Sequence, residues 1–307
     1  MSPQRIRVRM YQVGFGDCFL LTFQYKAPEP SRHVLIDFGT TEAPAGSPTQ
    51  LLLTIAKDIQ RTVGDEPFAV VATHRHADHI AGFDPGVRGQ GPGALIAALK
   101  PHCVIQPWTE QPDLPVDATA PKGLRGLAAR RETLESLQGL AAHMMTLDVP
   151  RLAKSQGESA LVKELRFIGE DNLKNPRAVK NLMTMGPNDY VYAGKTTKLQ
   201  AFLPGVTIDV LGPPTVKQHE GVRKQRQTDA DEFWKFATRA NALAAAPPRS
   251  GPFRHAPQVS GGAAPPWARW VVKGLRQAHG EQQLGLVRAL DSAMNNTSVI
   301  LLFECQG

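Results

Sequence analysis

The chain of 307 residues has few cysteines and no long apolar run, and each shortage excludes a class of protein. The three cysteines, Cys18, Cys103 and Cys305, are widely spaced and odd in number, which argues against a disulfide framework and favours a reducing compartment. No apolar stretch approaches the roughly 18 residues that a membrane span needs. The first seven residues also lack the apolar core of a secretory signal. We therefore predict a cytoplasmic protein without a membrane partner.

Two widespread catalytic motifs are also missing. The sequence contains no Gly-x-Ser-x-Gly elbow and no Gly-x-x-x-x-Gly-Lys loop, which disfavours a serine hydrolase and an NTPase. The hydrophobic content of 42% suffices for a packed core, and the length suits one large domain with insertions or two smaller domains. The net charge of +7 suits an anionic partner such as nucleic acid but sets no specificity.

What the sequence does contain is a dense group of metal-ligand side chains after an apolar run. The run from Phe68 to Ala72 is short and β-branched, and predicts a buried strand. Three histidines and one aspartate follow within six positions: His74, His76, Asp78 and His79. Imidazole and carboxylate are ligands of zinc, and they also suit iron and manganese. We predict two divalent cations, one held by His74 and His76 and the other by Asp78 and His79. A histidine-rich surface turn without metal is the alternative.

Together with Gly82, this group resembles the metal-binding signature of the metallo-β-lactamase superfamily. Residues 13–21 resemble the glycine-rich opening hairpin of the branch that includes the hydrolase domains of bacterial DNA-uptake channel proteins. Residues 34–40 resemble the strand that ends in an aspartate beneath the metals, and residues 295–302 resemble a later core strand. The resemblance implies an α/β fold of the αββα sandwich type. It also implies a metal-activated water, with Asp78 as the catalytic carboxylate that orients it.

Two further aspartates are expected near the metals. Asp37 ends an apolar strand, and a buried charge there needs a partner because an isolated one is costly. A metal-ligand imidazole is the partner we expect, since a carboxylate fixes the tautomer of such a ring. Asp17 follows a glycine turn, where it could bond its own backbone. The resemblance implies that Asp17 could also lie near the metals.

Along the chain, the periodicity predicts one domain over 1–307 with two insertions. Residues 109–195 have mostly helical periodicity and predict a helical insertion, and residues 215–290 predict a second insertion with a flexible loop rich in Pro, Gly and Ala. From Ile6 to Gln12 apolar and basic residues alternate, which predicts a half-buried strand. The apolar residues Leu199, Ala201 and Leu203 have strand spacing.

The resemblance also implies donors that this sequence does not supply near its end. Family members continue into a Gly-Asp turn and a later histidine, whereas only Glu304, Cys305, Gln306 and Gly307 follow Phe303 here. We therefore expect the C-terminal part of the fold to be absent from this chain and a second polypeptide to complete it. A split or cleaved enzyme, a shortened chain and a protein that has lost catalysis remain alternatives. His102, His143 and His219 are candidate extra ligands by position, although an ordinary role is favoured for each.

The function expected from these observations is metal-dependent hydrolysis. The basic composition and the resemblance favour a phosphodiesterase or nuclease, with nucleic acid as a possible partner. Hydrolysis of an ester, lactone, thioester or amide is an alternative. A catalytically incomplete binding or regulatory subunit is a further alternative from a different class.

Overall fold

The chain folds into a mixed α/β structure, seen in a computed structural model that describes residues 1–111, 175–215, 218 and 297–305. Most of the two predicted insertions lies outside these residues, as do His143 and His219. The main element is a six-stranded sheet in the order β1-β2-β3-β4-β5-β6. Its strands are β1 Arg5–Met10, β2 Cys18–Gln24, β3 Arg32–Phe38, β4 Phe68–Val71, β5 Val104–Pro107 and β6 Asn188–Val191.

The sheet changes direction at β3. Strands β1, β2 and β3 are antiparallel neighbours, whereas β3, β4, β5 and β6 run parallel. Parallel neighbours need crossover connections, and each of the three connections contains at least one helix in the described residues. The helices are α1 Leu51–Val63, α2 Ala77–Ile80, α3 Pro92–Ala98, α4 Pro176–Thr184 and α5 Leu199–Phe202. Short 3₁₀ turns cover Ala81–Phe83, Val87–Gly89 and Trp108–Glu110.

One face of the sheet is covered by helices. Helix α1 buries Ile55, Ile59 and Val63, which recur at helical spacing, and Gly64 follows it with a positive φ of 56°. Helices α3 and α4 add Ile96 and Leu182 to the same core. Within the described ranges, no helix is long and apolar enough to cross a membrane.

The other face is covered by a two-stranded antiparallel sheet of β7 Val206–Gly212 and β8 Ile300–Cys305. Strand β7 alternates strictly, with Val206, Ile208 and Val210 buried against the six-stranded sheet. Phe303 of β8 packs on Phe23 of β2, with 6.0 Å between ring centroids. The described residues thus form three layers: helices, the large sheet and the small sheet.

Three sequence predictions differ from this structure. β1 is a strand, but its apolar residues Ile6, Val8 and Met10 are 40%, 62% and 69% exposed. The prediction that the apolar face of this strand is buried is therefore wrong. Residues 199–202 form helix α5 instead of a strand. Residues 188–191 form β6, which pairs with β5, so helical structure does not extend over all of residues 109–195.

Candidate metal centre

The ligand-type residues gather at one edge of the large sheet. Asp37 lies near the end of β3, and residues 73–79 directly follow β4, which runs parallel to β3. Asp17 precedes β2, which runs antiparallel to β3, so the start of β2 lies beside the end of β3. Strand order and direction therefore bring three separate parts of the sequence to the same edge.

Glycines allow the backbone segments at this edge to approach closely. A Cβ on Gly16 would lie 2.6 Å from the carbonyl oxygen of Asp78, and Gly39 lies against the same peptide group. The N–H of Asp17 donates to that carbonyl oxygen at 3.0 Å, and the N–H of Gly39 donates to the carbonyl of Asp17 at 3.0 Å. Because neither glycine position has room for a side chain, these contacts fix the backbone of Asp78 against the turn before β2.

Asp37 is the hydrogen-bond acceptor at the centre of the cluster. It is 3% exposed, with a positive φ of 53° that is uncommon for a residue other than glycine. Its carboxylate accepts the backbone N–H and the hydroxyl of Thr73, each at 2.7 Å. It also lies 2.9 Å from Nδ1 of His79. A carboxylate can only accept, so Nδ1 of His79 carries a proton, and Nε2 offers a lone pair to a metal only in the neutral form of the ring.

Thr73 fixes the tautomer of a second histidine. Its hydroxyl proton is used in the bond to Asp37, so the hydroxyl oxygen accepts from Nδ1 of His74 at 3.1 Å. Nε2 of His74 therefore holds a lone pair, and it lies 2.9 Å from Nδ1 of His76. The pattern of residue types in the sequence did not identify Thr73, although its place directly before the first histidine is a usable signal.

The electrostatic environment shifts the pKa values of His74 and His79 in opposite directions. Burial, together with the charges of His79 and His76, lowers the pKa of His74 to about 2. His74 is therefore neutral at ordinary pH, which is the form that binds metals. Burial also lowers the pKa of His79, but the hydrogen bond that its Nδ1 donates to Asp37 and the charges of Asp37, Asp78 and Asp17 outweigh burial and raise the pKa to about 9, so an ion on Nε2 would displace a proton at neutral pH.

The donor atoms form two close pairs. One is Nε2 of His74 with Nδ1 of His76 at 2.9 Å, and the other is Nε2 of His79 with Oδ2 of Asp78 at 3.4 Å. Two ligands of one tetrahedral zinc ion, each at the usual bond length, lie about 3.3 Å apart. The second pair has this spacing. The first is closer because it is a hydrogen bond in which Nδ1 of His76 donates to Nε2 of His74, and an ion shared by these two atoms would displace that proton. The donor set and its spacing therefore fit divalent cations.

A third combination of donors uses the other nitrogen of His79. Atoms of Asp17, Asp37 and His79 all lie within 4.8 Å of one another, and this group could hold a metal ion. Oδ2 of Asp17 is 3.6 Å from Nδ1 of His79. Because Nδ1 already donates to Asp37, an ion here would displace that hydrogen bond. The bond therefore favours Nε2 as the ligand atom and leaves Asp37 as the group that orients the ring.

The other residues of interest lie apart from these donors. Arg75 points to Glu110, with 3.4 Å between the charged groups. His102 lies before β5 at the opposite edge of the sheet, where its N–H donates to Phe68 and its ring stacks on Phe202. His102 is therefore not brought to the cluster.

Comparisons of the chain with protein-family models, with curated proteins and with solved structures found no match. The functional interpretation therefore depends on the residues of this chain and their geometry.

Proposed function

We propose that this chain is a metal-dependent hydrolase with a metallo-β-lactamase-like fold. The observation that carries the proposal is the convergence of His74, His76, Asp78 and His79 into two donor pairs of 2.9 and 3.4 Å, with Asp37 behind His79. The layers of helices, large sheet and small sheet are compatible with an αββα sandwich, in which a second helical layer would cover the small sheet.

The ions proposed are two divalent cations, with zinc preferred and manganese or iron also suited to these ligands. His74 and His76 hold one, and Asp78 and His79 hold the other. The described residues give each ion two donors, whereas catalytic zinc normally has three protein ligands and a water. We assign the remaining donors to a second polypeptide that completes the dimetal site. The supporting observation is that the further carboxylates grouped with His79 are those of Asp17 and Asp37, and Asp37 is already used to orient the ring of His79.

Bound cations supply Lewis acidity, which makes a water acidic near neutral pH and neutralises charge that develops on the substrate. The protein residues supply orientation. Asp78 would accept a hydrogen bond from the water and so orient the lone pair of the water oxygen toward the substrate. Asp37 holds the ring of His79, and Thr73 holds both Asp37 and the ring of His74, so none of these groups must reorganise when substrate binds.

The substrate class proposed is a phosphodiester, with nucleic acid as the natural form. The net charge of +7 and the resemblance to the DNA-uptake branch support this choice. We also propose a cytoplasmic location, which agrees with three cysteines that form no disulfide.

The test combines metal content with activity. The full chain is loaded with zinc or manganese, its bound metal is measured by mass spectrometry, and its hydrolysis of bis(p-nitrophenyl) phosphate is followed. His76→Ala and Asp78→Asn are expected to lose metal and activity together. His102→Ala is the matched control, since it removes an imidazole from the opposite edge of the sheet, and both properties should survive.

The outcomes distinguish the alternatives. Hydrolysis that appears only when a copurifying polypeptide is added would support the proposal and identify the missing donors. Metal binding without hydrolysis of any ester, with or without such a polypeptide, would favour an incomplete binding subunit. Hydrolysis of p-nitrophenyl acetate but not of the phosphodiester would favour the ester class. Hydrolysis that persists in both His76→Ala and Asp78→Asn would exclude this site.

A further inference from the structure

The edge strand β1 presents two chemically different faces, and all of its residues except Arg9 are exposed. Its even-numbered residues Ile6, Val8 and Met10 are exposed on the side of the small sheet. Their partners on β2 are Phe23, Leu21 and Phe19, of which Phe23 is buried in the core and the other two are partly buried. The apolar surface of the large sheet therefore continues outward from the core to an open edge.

The backbone of β1 is also available along this edge. The register of β1 and β2 is regular, and Tyr11, one residue beyond β1, donates its N–H to Cys18 at 3.0 Å. In an antiparallel pair the residues alternate between bonding the partner strand and pointing away from it. Odd-numbered residues of β1 therefore bond β2, and the N–H and carbonyl groups of Ile6, Val8 and Met10 point toward the open edge.

The opposite face of β1 is cationic. Arg9 is held by Asp58 of α1 at 2.8 Å. Arg5 and Arg7 are exposed and form no ion pair with any residue in the described part of the chain. A strand added to this edge would thus meet two uncompensated positive charges on one face and three apolar side chains on the other.

The arginines of β1 disfavour a second copy of this chain as the segment that pairs with this strand. If two copies of β1 paired with their faces matched, arginines would lie opposite arginines, and like charges directly opposite are destabilising. If the faces were mismatched, the arginines would lie beside Val8 and its apolar neighbours. A different segment with acidic residues at alternate positions avoids both problems.

We propose that β1 is a docking edge for an extended segment of a partner polypeptide in which acidic and apolar residues alternate. The segment adds a seventh strand to the large sheet through the outward backbone groups of β1. Its acidic side chains lie beside Arg5 and Arg7, and its apolar side chains lie beside Ile6, Val8 and Met10. Strand β1 contributes no residue to the metal cluster, so this proposal can be tested independently of the hydrolase activity.

Nucleic acid is a less suitable occupant of this edge. Phosphates would use the arginines but would leave the apolar face and the outward N–H groups without a role. The two occupants therefore differ in their dependence on Val8, which follows Arg7 in sequence and lies on the other face.

The probe is a fluorescein-labelled peptide of alternating glutamate and valine, long enough to span β1, added to the full chain. Binding is measured by fluorescence anisotropy, with an alternating lysine and valine peptide as the charge control. We expect binding of the glutamate peptide only. The double variant Arg5→Glu/Arg7→Glu should weaken that binding by about tenfold or more and should bind the lysine peptide instead. Arg88→Glu, which makes half of that charge change on the exposed turn Val87–Gly89, should have no effect, whereas Arg7→Glu, with the same single change, should weaken binding.

Two substitutions at Val8 separate strand addition from simple adhesion. Val8→Pro removes an outward N–H but no bond to β2, a situation in which edge strands tolerate proline. It should abolish peptide binding, whereas Val8→Ala keeps the N–H and should retain most of it. Circular dichroism checks that both variants fold. Equal binding by these two variants, binding of both peptides alike, or no binding of the glutamate peptide would overturn the proposal. So would binding of single-stranded DNA that needs Arg5 and Arg7 but is indifferent to Val8→Pro.

Discussion

His33 and His79 each meet a carboxylate, yet their surroundings differ in the one respect that matters for chemistry. His33, near the start of β3, uses both ring nitrogens inside the protein: Nδ1 lies 3.0 Å from the hydroxyl of Thr22 and Nε2 lies 2.6 Å from Glu66. His79 has Nδ1 on Asp37 and its Nε2 at ligand spacing from Asp78. A histidine bonded to a carboxylate therefore indicates a metal site only where its second nitrogen faces another metal-ligand atom, such as a carboxylate oxygen.

The largest effect that sharpens this comparison is on zinc affinity. His79→Ala removes a proposed ligand, and the affinity should fall by more than about 100-fold, since changes behind the ligands alone cost about 10–100-fold. His33→Gln is the matched variant and should keep the wild-type affinity, because both nitrogens of His33 are used within the fold. Competition with a chromophoric zinc chelator measures both constants. An equal loss in the two variants would remove the distinction between the two histidines.

A smaller effect is expected from the carboxylates behind the rings. Asp37→Asn keeps the shape of the side chain but weakens its hold on Nδ1 of His79, and zinc affinity should fall by about 10–100-fold. Glu66→Gln makes the same chemical change beside His33 and should leave zinc affinity unaltered. The same chelator titration serves, with urea unfolding as a check that each variant is folded. If Glu66→Gln weakened zinc binding as much as Asp37→Asn, the effect of Asp37 could not be assigned to its contact with His79.

The sequence allowed the cluster to be foreseen because its donors are close together in the chain and follow a recognisable strand. His74, His76, Asp78 and His79 needed only their spacing after β4. Asp37 needed one further physical rule, that a charge at the end of an apolar strand requires a partner. Its contact with His79 in particular depends on β3 and β4 being parallel neighbours, which is a long-range property.

Other features could not be foreseen because they depend on what packs against each element. The alternation in β1 indicates an amphipathic strand, but it does not reveal that Ile6, Val8 and Met10 remain exposed. Leu199 and Leu203 have strand spacing with Ala201, yet they also have the i and i+4 spacing of a helix, and the buried residues of α5 follow the helical pattern. Asn188–Val191 is too short and polar to stand out, and pairing with β5 makes it a strand.

The smallest effect concerns the pH dependence of stability at His33. Burial raises the pKa of Glu66, but its hydrogen bond with His33 and the charge of that ring outweigh burial, so the pKa lies below the ordinary value of 4.5. A carboxyl whose folded pKa is lowered contributes stability above its unfolded pKa and loses it as the pH falls through the folded pKa. Wild type should therefore exceed Glu66→Gln in urea midpoint at neutral pH, and the difference should disappear below about pH 4. The gap should be small, because 41% of the Glu66 side chain is exposed and solvent screens the pair. If the difference in urea midpoint grew as the pH fell, the ionised carboxylate of Glu66 would not be the form that stabilises the fold.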